Sequence, residues 1–169
     1  PSSASPASSG LASPIVTSEQ LLEVATLADA LLPAVGPRMR SSPRSGNKRE
    51  KDASLCEKNV PVLTKQEPEL LVEYAKHLTN VLMQAVDSSV PQAVKVKCLS
   101  ALTKWTQLST DDSFKNVLET TSFAAFCSAQ LSCKDAQRIQ GCLDLVESGM
   151  GKKMVDMAKL LRKEGAVHA

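Results

Sequence analysis

The sequence predicts an all-α protein whose helices stack into a solenoid. Apolar residues recur at the three- and four-residue spacing of amphipathic helices, and no segment shows the alternation of a half-buried strand. Aromatic residues make up only 3% of the chain, so the core depends on aliphatic side chains, alanine and cysteine. A weak self-similarity with a period of about 44 residues indicates that the helices form repeated units.

The first 35 residues divide into a polar segment and one helix. Residues 1–16 consist mainly of Ser, Pro and Ala, a composition that predicts disorder. Thr17 and Gln20 form a possible capping box for a helix over 17–35. Its predicted apolar face comprises Leu21, Val24, Ala25, Ala28, Leu31 and Leu32. We expect this helix to be isolated, because a basic flexible linker over 36–66 follows it.

Residues 67–169 are predicted to be continuously helical. Pro68 suits the first turn of one helix, and Pro91 begins the next, with Ser89 and Gln92 as its capping pair. Shorter helices follow near residues 110 and 123. Asp135 begins a longer helix that ends at Gly149-Met150-Gly151, and a last helix stops at Gly165.

The repeat becomes visible when the chain is shifted by about 44 residues against itself. Cys98-Leu99 then aligns with Cys142-Leu143, and Val81-Leu82 aligns with Ala125-Phe126. This period lies in the range typical of armadillo and HEAT repeats, whose helical units bury their apolar faces only by stacking on neighbours. We therefore predict an armadillo/HEAT-like helical solenoid over 67–169.

The sequence offers no set of residues for catalysis, a cofactor or a metal. Gly149-Met150-Gly151-Lys152 lacks the spacing of a phosphate-binding loop and joins two helices, so a helix end is the better interpretation. Asp111 and Asp112 lie at a helix start, where carboxylates stabilise exposed N–H groups. His77 has no partner for acid–base or metal chemistry and is predicted to be a half-buried structural residue.

The cysteine content predicts a reduced, intracellular protein. The five cysteines are odd in number and include no CxxC pair, so they are interpreted as small core residues. They are Cys56, Cys98, Cys127, Cys133 and Cys142. No long apolar stretch or signal-peptide pattern is present, so no membrane partner is expected. A chain that begins at Pro1 is expected to be part of a longer protein.

The basic character of the chain is concentrated between Pro37 and Lys51. This tract contains six basic residues and one acidic residue, Glu50, so its net charge is +5. The basic residues are Arg38, Arg40, Arg44, Lys48, Arg49 and Lys51. The tract is interpreted as a solvated linker, a nuclear-localisation signal or a patch for nucleic acid. Because it lacks aromatic residues for base stacking, nucleic acid is the least expected partner, and the predicted location is nuclear, cytoplasmic or both.

A protein partner is expected on the concave face of the solenoid, which is the usual binding surface in such folds. Lys97, Lys104 and Gln107 lie off the apolar stripe of their helix and are the candidate partner-binding residues. Trp105 falls on the apolar stripe and is predicted to lie in the core. Because a short solenoid exposes apolar end faces, we also expect the chain to associate with itself.

Three stretches resemble a known family. They are Ala28-Asp29-Ala30-Leu31-Leu32-Pro33, the segment from Leu78 to Leu108 with Lys97-Cys98-Leu99-Ser100 at its centre, and Leu160–Ala169. These stretches resemble the armadillo-repeat region of HECT-type E3 ubiquitin-protein ligases, in the branch that includes the thyroid-hormone-receptor interactor and the plant Kaktus ligase. The tract over 37–60 departs from the linker expected of that family.

The resemblance implies that this region recruits or positions protein substrates. It places the HECT domain, and the cysteine that accepts ubiquitin, beyond residue 169, so no catalytic residue is assigned here. The alternative is a nuclear-transport adaptor or a general armadillo scaffold without ligase activity. Importin-type adaptors carry Asn four residues after a groove Trp, whereas Trp105 is followed at that distance by Ser109, which counts against the adaptor.

Overall fold

A computed structural model describes residues 17–33, 60–153 and 155–165. All regular secondary structure in these ranges is helical, as the sequence predicts. In chain order the elements are α1 (Ser18–Leu31), a π-helical turn (Val62–Gln66), α2 (Pro68–Tyr74), a second π-helical turn (Ala75–Thr79), α3 (Asn80–Asp87), α4 (Gln92–Leu108), α5 (Asp111–Thr120), α6 (Phe123–Leu131), α7 (Ala136–Met150) and α8 (Met157–Lys163).

Side-chain caps fix the starts of several helices. The predicted capping box of α1 is confirmed, with Thr17 N donating to Gln20 Oε1 at 2.9 Å and Gln20 N donating to Thr17 Oγ1 at 3.3 Å. The predicted capping pair of α4 is wrong, because Pro91 precedes the helix and no side chain caps it. Gln92 Nε2 instead donates to Asp135 Oδ1 at 3.0 Å, which links the starts of α4 and α7.

The helices form two successive three-helix units, α2–α4 and α5–α7. α4 begins at Gln92 and α7 begins at Ala136, which is one predicted period of about 44 residues later. Cys98 and Cys142, which the repeat alignment pairs, are both buried. α4 packs against α1 on one side and α7 on the other, so these three helices lie side by side in a row. The described residues therefore form an all-α helical solenoid.

The first helix belongs to this packed structure, which corrects the expectation that it is isolated. Ala25, Ala28 and Leu32 are buried, and Tyr74 Oη donates to the Ala28 carbonyl at 3.1 Å. Val24 and Leu31, which were predicted to lie on the same buried face, are exposed. The small alanine side chains let α1 approach α4 closely, so the narrow alanine face is the buried one. Helical structure also resumes before the predicted linker ends at residue 66.

Aromatic side chains are few, and all of them are buried in the core. The Trp105 side chain is fully buried, which confirms the prediction, and its Nε1 donates to the Leu71 carbonyl at 3.0 Å. Its ring lies 6.1 Å from Phe114, and Phe114 meets Phe123 edge-on at 5.6 Å. These rings join α4, α5 and α6, so Trp105 connects the two three-helix units.

Two glycines of α7 allow close helix contacts, Gly141 with α4 across the junction between the units and Gly149 with α5 inside the second unit. A Cβ placed on Gly141 would lie 3.1 Å from Leu99 Cδ1, and one on Gly149 would lie 3.1 Å from Phe114 Cζ. The predicted helix end at Gly149-Met150-Gly151 is confirmed, since Gly151 caps α7. Lys152 Nζ then donates to the Gln107 and Ser109 carbonyls at the end of α4. A cation at a helix C-terminus is favourable, and burial lowers the pKa of Lys152 against the opposing effect of Asp111.

The outer face of α7 exposes apolar side chains at positions that are buried in the preceding unit. Leu99 is 1% exposed, whereas Leu143, one repeat later, is 47% exposed. Thr106 is fully buried, whereas its counterpart Met150 is 59% exposed. The Leu99 side chain is covered by α7 at Gly141, but no described helix covers Leu143. We call Leu143 and Met150 the α7 end face.

Replacing both residues of the α7 end face with glutamine is expected to weaken self-association of the chain. The change removes exposed apolar area that a second copy would otherwise cover. Sedimentation velocity over a range of protein concentrations measures the effect. The matched control replaces Leu70 and Val72, which are exposed on α2, with glutamine. A wild-type chain that stays monomeric at every concentration, or an equal effect of the control, would contradict the expectation.

Candidate protein-binding surface

Within the row formed by α1, α4 and α7, helices α4 and α7 present aligned side chains to solvent. Positions three and seven residues apart lie on one face of a helix, so one such set marks the exposed face of α4 and another that of α7. The α4 set is Ala93, Val96 and Ser100, and the α7 set, one repeat later, is Gln137, Gln140 and Asp144. Of these six only Ser100 is half-buried. We call these six residues the helix-row surface.

A buried carboxylate joins α1 to α4 beside this surface. Asp29 is 8% exposed, and its Oδ1 accepts a hydrogen bond from Ser100 Oγ at 2.7 Å and forms an ion pair with Lys104 Nζ at 2.9 Å. Lys104 Nζ also donates to the Asp29 main-chain carbonyl at 2.7 Å. Its Oδ2 pairs with Lys97 Nζ at 3.2 Å. Burial raises the pKa of Asp29, but the hydrogen bonds from Lys104, Ser100 and Lys97 outweigh it and hold the pKa below 3.8. The carboxylate is therefore charged at neutral pH.

The sequence-predicted partner-binding residues all lie at junctions between helices of the row. Lys97 and Lys104 meet at Asp29, where the Lys104 side chain is 14% exposed and the Lys97 side chain is 42% exposed. Gln107 lies apart from them and donates through Nε2 to Ser148 Oγ at 3.2 Å, which links α4 to α7. Gln107 is the exposed residue of the three, whereas Lys97 and Lys104 are half-buried. Binding of a partner at these residues stays a prediction.

A second polar network, which the sequence reasoning missed, fixes the start of α7. Gln130 is 1% exposed, donates through Nε2 to Asp87 Oδ1 at 2.6 Å, and accepts at Oε1 from Arg138 Nε at 3.1 Å. The three residues belong to α3, α6 and α7, so the network ties the two units together. Gln130 lies seven residues after Phe123 and four after Phe126, so helical spacing carries a signal for its burial but none for its partners on other helices.

The titratable groups in the described residues do not form a reactive centre. Burial raises the pKa of the Cys98 thiol to about 11, and the neighbouring Cys142 thiol together with burial raises that of Cys127. These thiols are protonated core side chains. No cluster of three His, Cys, Asp or Glu side chains in the described ranges could hold a metal ion.

His77 is exposed and its Nε2 lies 2.9 Å from Glu73 Oε2, which corrects the prediction that it is half-buried. His77 lies four residues after Glu73, on the same solvent-exposed face, whereas Tyr74 and Ala75 form the buried face there. The basic tract from Arg38 to Lys51 lies outside the described residues, so its role and the cellular location stay predictions. In the described part of the chain, no helix has both the length and the apolar character to cross a membrane.

Comparison with known proteins finds sequence similarity to E3 ubiquitin-protein ligases. No protein-family model and no solved structure matches the chain. It is 30% identical to the E3 ubiquitin-protein ligase UPL3 of Arabidopsis thaliana over 89% of its own length, and to the E3 ubiquitin-protein ligase TRIP12 of Danio rerio over 63%. The chain spans only 9% of the first protein and 5% of the second. The chain is therefore homologous to a small region of E3 ubiquitin-protein ligases.

Proposed function

We propose that this chain is an armadillo-type region of a HECT-type E3 ubiquitin-protein ligase and that it binds protein substrates of the ligase. Its homology to two E3 ligases and its three-helix units with a period of about 44 residues support this proposal. In this proposal, catalysis belongs to a HECT domain outside these residues.

The proposal that this chain binds a protein depends on the helix-row surface. Its side chains lie on the neighbouring helices α4 and α7, which pack against each other, so they are held at fixed spacing by a rigid scaffold. Solenoid proteins use extended surfaces of this kind for binding. The ion pairs of Asp29 and the Gln107–Ser148 hydrogen bond hold the neighbouring helices in register. A partner would then meet a preformed surface, which lowers the entropy cost of binding.

The burial of Trp105 bears on the alternative of a nuclear-transport adaptor. A groove tryptophan must be accessible to a bound peptide. Trp105 is instead fully buried, and its Nε1 donates a hydrogen bond to the Leu71 carbonyl. Its core position is a further argument against a transport adaptor. No described residue favours the adaptor.

The proposal is tested by affinity capture with residues 1–169 as bait in cells treated with a proteasome inhibitor. The bait must keep α1, because Asp29 and the buried alanines complete the α4 face. We expect capture of proteins whose ubiquitylated forms accumulate with the inhibitor. A variant of the helix-row surface with Val96→Glu and Asp144→Lys is expected to lose these proteins.

The matched control carries Val72→Glu and Glu69→Lys on α2, which gives the same change in net charge on exposed residues outside the row. It is expected to capture the same proteins as the wild-type chain. Equal capture by the surface variant and the wild type would refute the assignment of the helix-row surface. Capture of transport factors in place of ubiquitylated proteins would refute the ligase assignment.

A further inference from the structure

A groove lies between α5 and α8, outside the row of α1, α4 and α7. Its volume is about 510 Å³, within the range of sites that hold a ligand group or a few side chains. The apolar part of the lining consists of Leu118 of α5, Leu160 of α8, and Val155 in the loop that precedes α8. Leu118 and Val155 pack against the core and are only half-buried, so their outer surfaces remain available.

The rim of the groove has an excess of positive charge. Lys115, Lys159 and Lys163 line it together with the acids Glu119 and Asp156. Glu119 pairs with Lys115 at 3.8 Å, and Asp156 Oδ1 accepts from the backbone N–H of Lys159 at 2.9 Å as the cap of α8. Both acids are thus engaged locally. Within the described ranges, the ammonium groups of Lys159 and Lys163 form no ion pair.

We propose that this groove binds a short acidic segment of a partner protein that also carries apolar side chains. Apolar side chains of the segment would cover Leu118, Val155 and Leu160, and its carboxylates would meet Lys159 and Lys163. Lysine suits this role because its ammonium is a mobile point charge that needs no fixed geometry in the partner. The lining contains no aromatic side chain on which a nucleic-acid base could stack, which favours a peptide over single-stranded nucleic acid.

The groove site is independent of the proposed ligase function. It shares no residue with the helix-row surface, and α5 and α8 do not belong to the row. A partner could therefore occupy the groove while a substrate occupies the row. Loss of binding at one surface is expected to leave the other unchanged.

Fluorescence anisotropy with a labelled synthetic peptide that alternates pairs of glutamates with pairs of leucines tests the proposal on the whole 1–169 chain. We expect saturable binding that weakens as salt is added. The variant Lys159→Glu with Lys163→Glu is expected to raise Kd at least about tenfold, since it replaces two attractions with repulsions. The matched control, Lys65→Glu with Lys134→Glu, makes the same charge change at exposed lysines outside the groove and is expected to keep the wild-type Kd.

Two further probes separate the parts of the proposal. A peptide with glutamine in place of glutamate, and one with serine in place of leucine, are both expected to bind more weakly than the original. Equal loss in the control variant, equal binding of the glutamine peptide, or equally tight binding of a single-stranded oligonucleotide would overturn the proposal. Amide chemical-shift changes confined to Val155 and its neighbours in α8 would support it even where affinity is modest.

Discussion

The Trp105→Ala variant is expected to lose about 4 kcal/mol of unfolding free energy, enough to leave a small domain marginal or unfolded. The indole ring is fully buried and packs against Phe114, which in turn contacts Phe123. Truncation leaves a cavity between the two three-helix units and leaves the Leu71 carbonyl without its donor. Because the chain has a single Trp, circular dichroism in a denaturant series is the suitable measurement.

The Trp105→Phe variant separates packing from hydrogen bonding. It keeps an aromatic ring in the core but removes the indole N–H that donates to the Leu71 carbonyl. Its unfolding free energy is therefore expected to be about 1–2 kcal/mol lower than that of the wild type. The ordering wild type, Trp105→Phe, Trp105→Ala is the expected result. An alanine variant as stable as the phenylalanine variant would show that the space around Trp105 collapses and that the ring does not join the units.

The Asp29→Asn variant is expected to lose about 3 kcal/mol at neutral pH, the size of effect seen when one partner of a buried ion pair is removed. Asparagine keeps the shape of the side chain but removes the charge that faces Lys97 and Lys104. The Lys104 ammonium is then buried without a carboxylate. The junction between α1 and α4 depends on that pair, so hydrogen exchange is expected to accelerate first in α1.

The stabilisation by Asp29 has a defined pH dependence. Its pKa in the folded chain is below 3.8, so the unfolded chain binds a proton more readily. The contribution of Asp29 to the unfolding free energy is complete at pH values above 3.8, the ordinary pKa of the carboxyl group. It is lost as the pH falls through the lower pKa of the folded chain. Urea denaturation of wild type and Asp29→Asn over the acid range is expected to show the two stabilities converging.

Asp144→Asn serves as the control for this series, because Asp144 is exposed and its carboxylate accepts from Gln140 of the same helix. It is expected to change stability by less than about 0.5 kcal/mol and to show no such convergence. A difference between wild type and Asp29→Asn that stays constant across the acid range would mean that Asp29 does not stabilise the fold as a charged group.

Local features of the chain account for the elements that were predicted correctly. Thr17 and Gln20 are three residues apart and cap α1 without help from distant residues. The apolar spacing of α4 places Trp105 on the buried stripe whatever its neighbours are. The period of about 44 residues is also readable, since each unit must bury similar positions.

Apart from the Ser89–Gln92 capping pair and the burial of His77, the features that the sequence did not predict are contacts between residues far apart in the chain. α1 was expected to be isolated because the linker separates it from α2, and spacing does not reveal that Asp29 meets Lys97 and Lys104. Gln130 is another such case, since only the folded chain brings it between Asp87 and Arg138. The same reason explains why the groove between α5 and α8 could not be predicted.

The sequence by itself determined that this protein is helical, that its helices repeat, and which residues lie on the inner stripe of the longest helix. Those properties depend on hydrogen bonds and side-chain spacing within one or two turns. Only the tertiary structure decided which of two apolar faces of α1 is buried, and that Leu99 is covered while Leu143 is exposed. Burial depends on which helix lies alongside, and that is settled by packing between distant segments, where small residues such as Gly141 permit close approach.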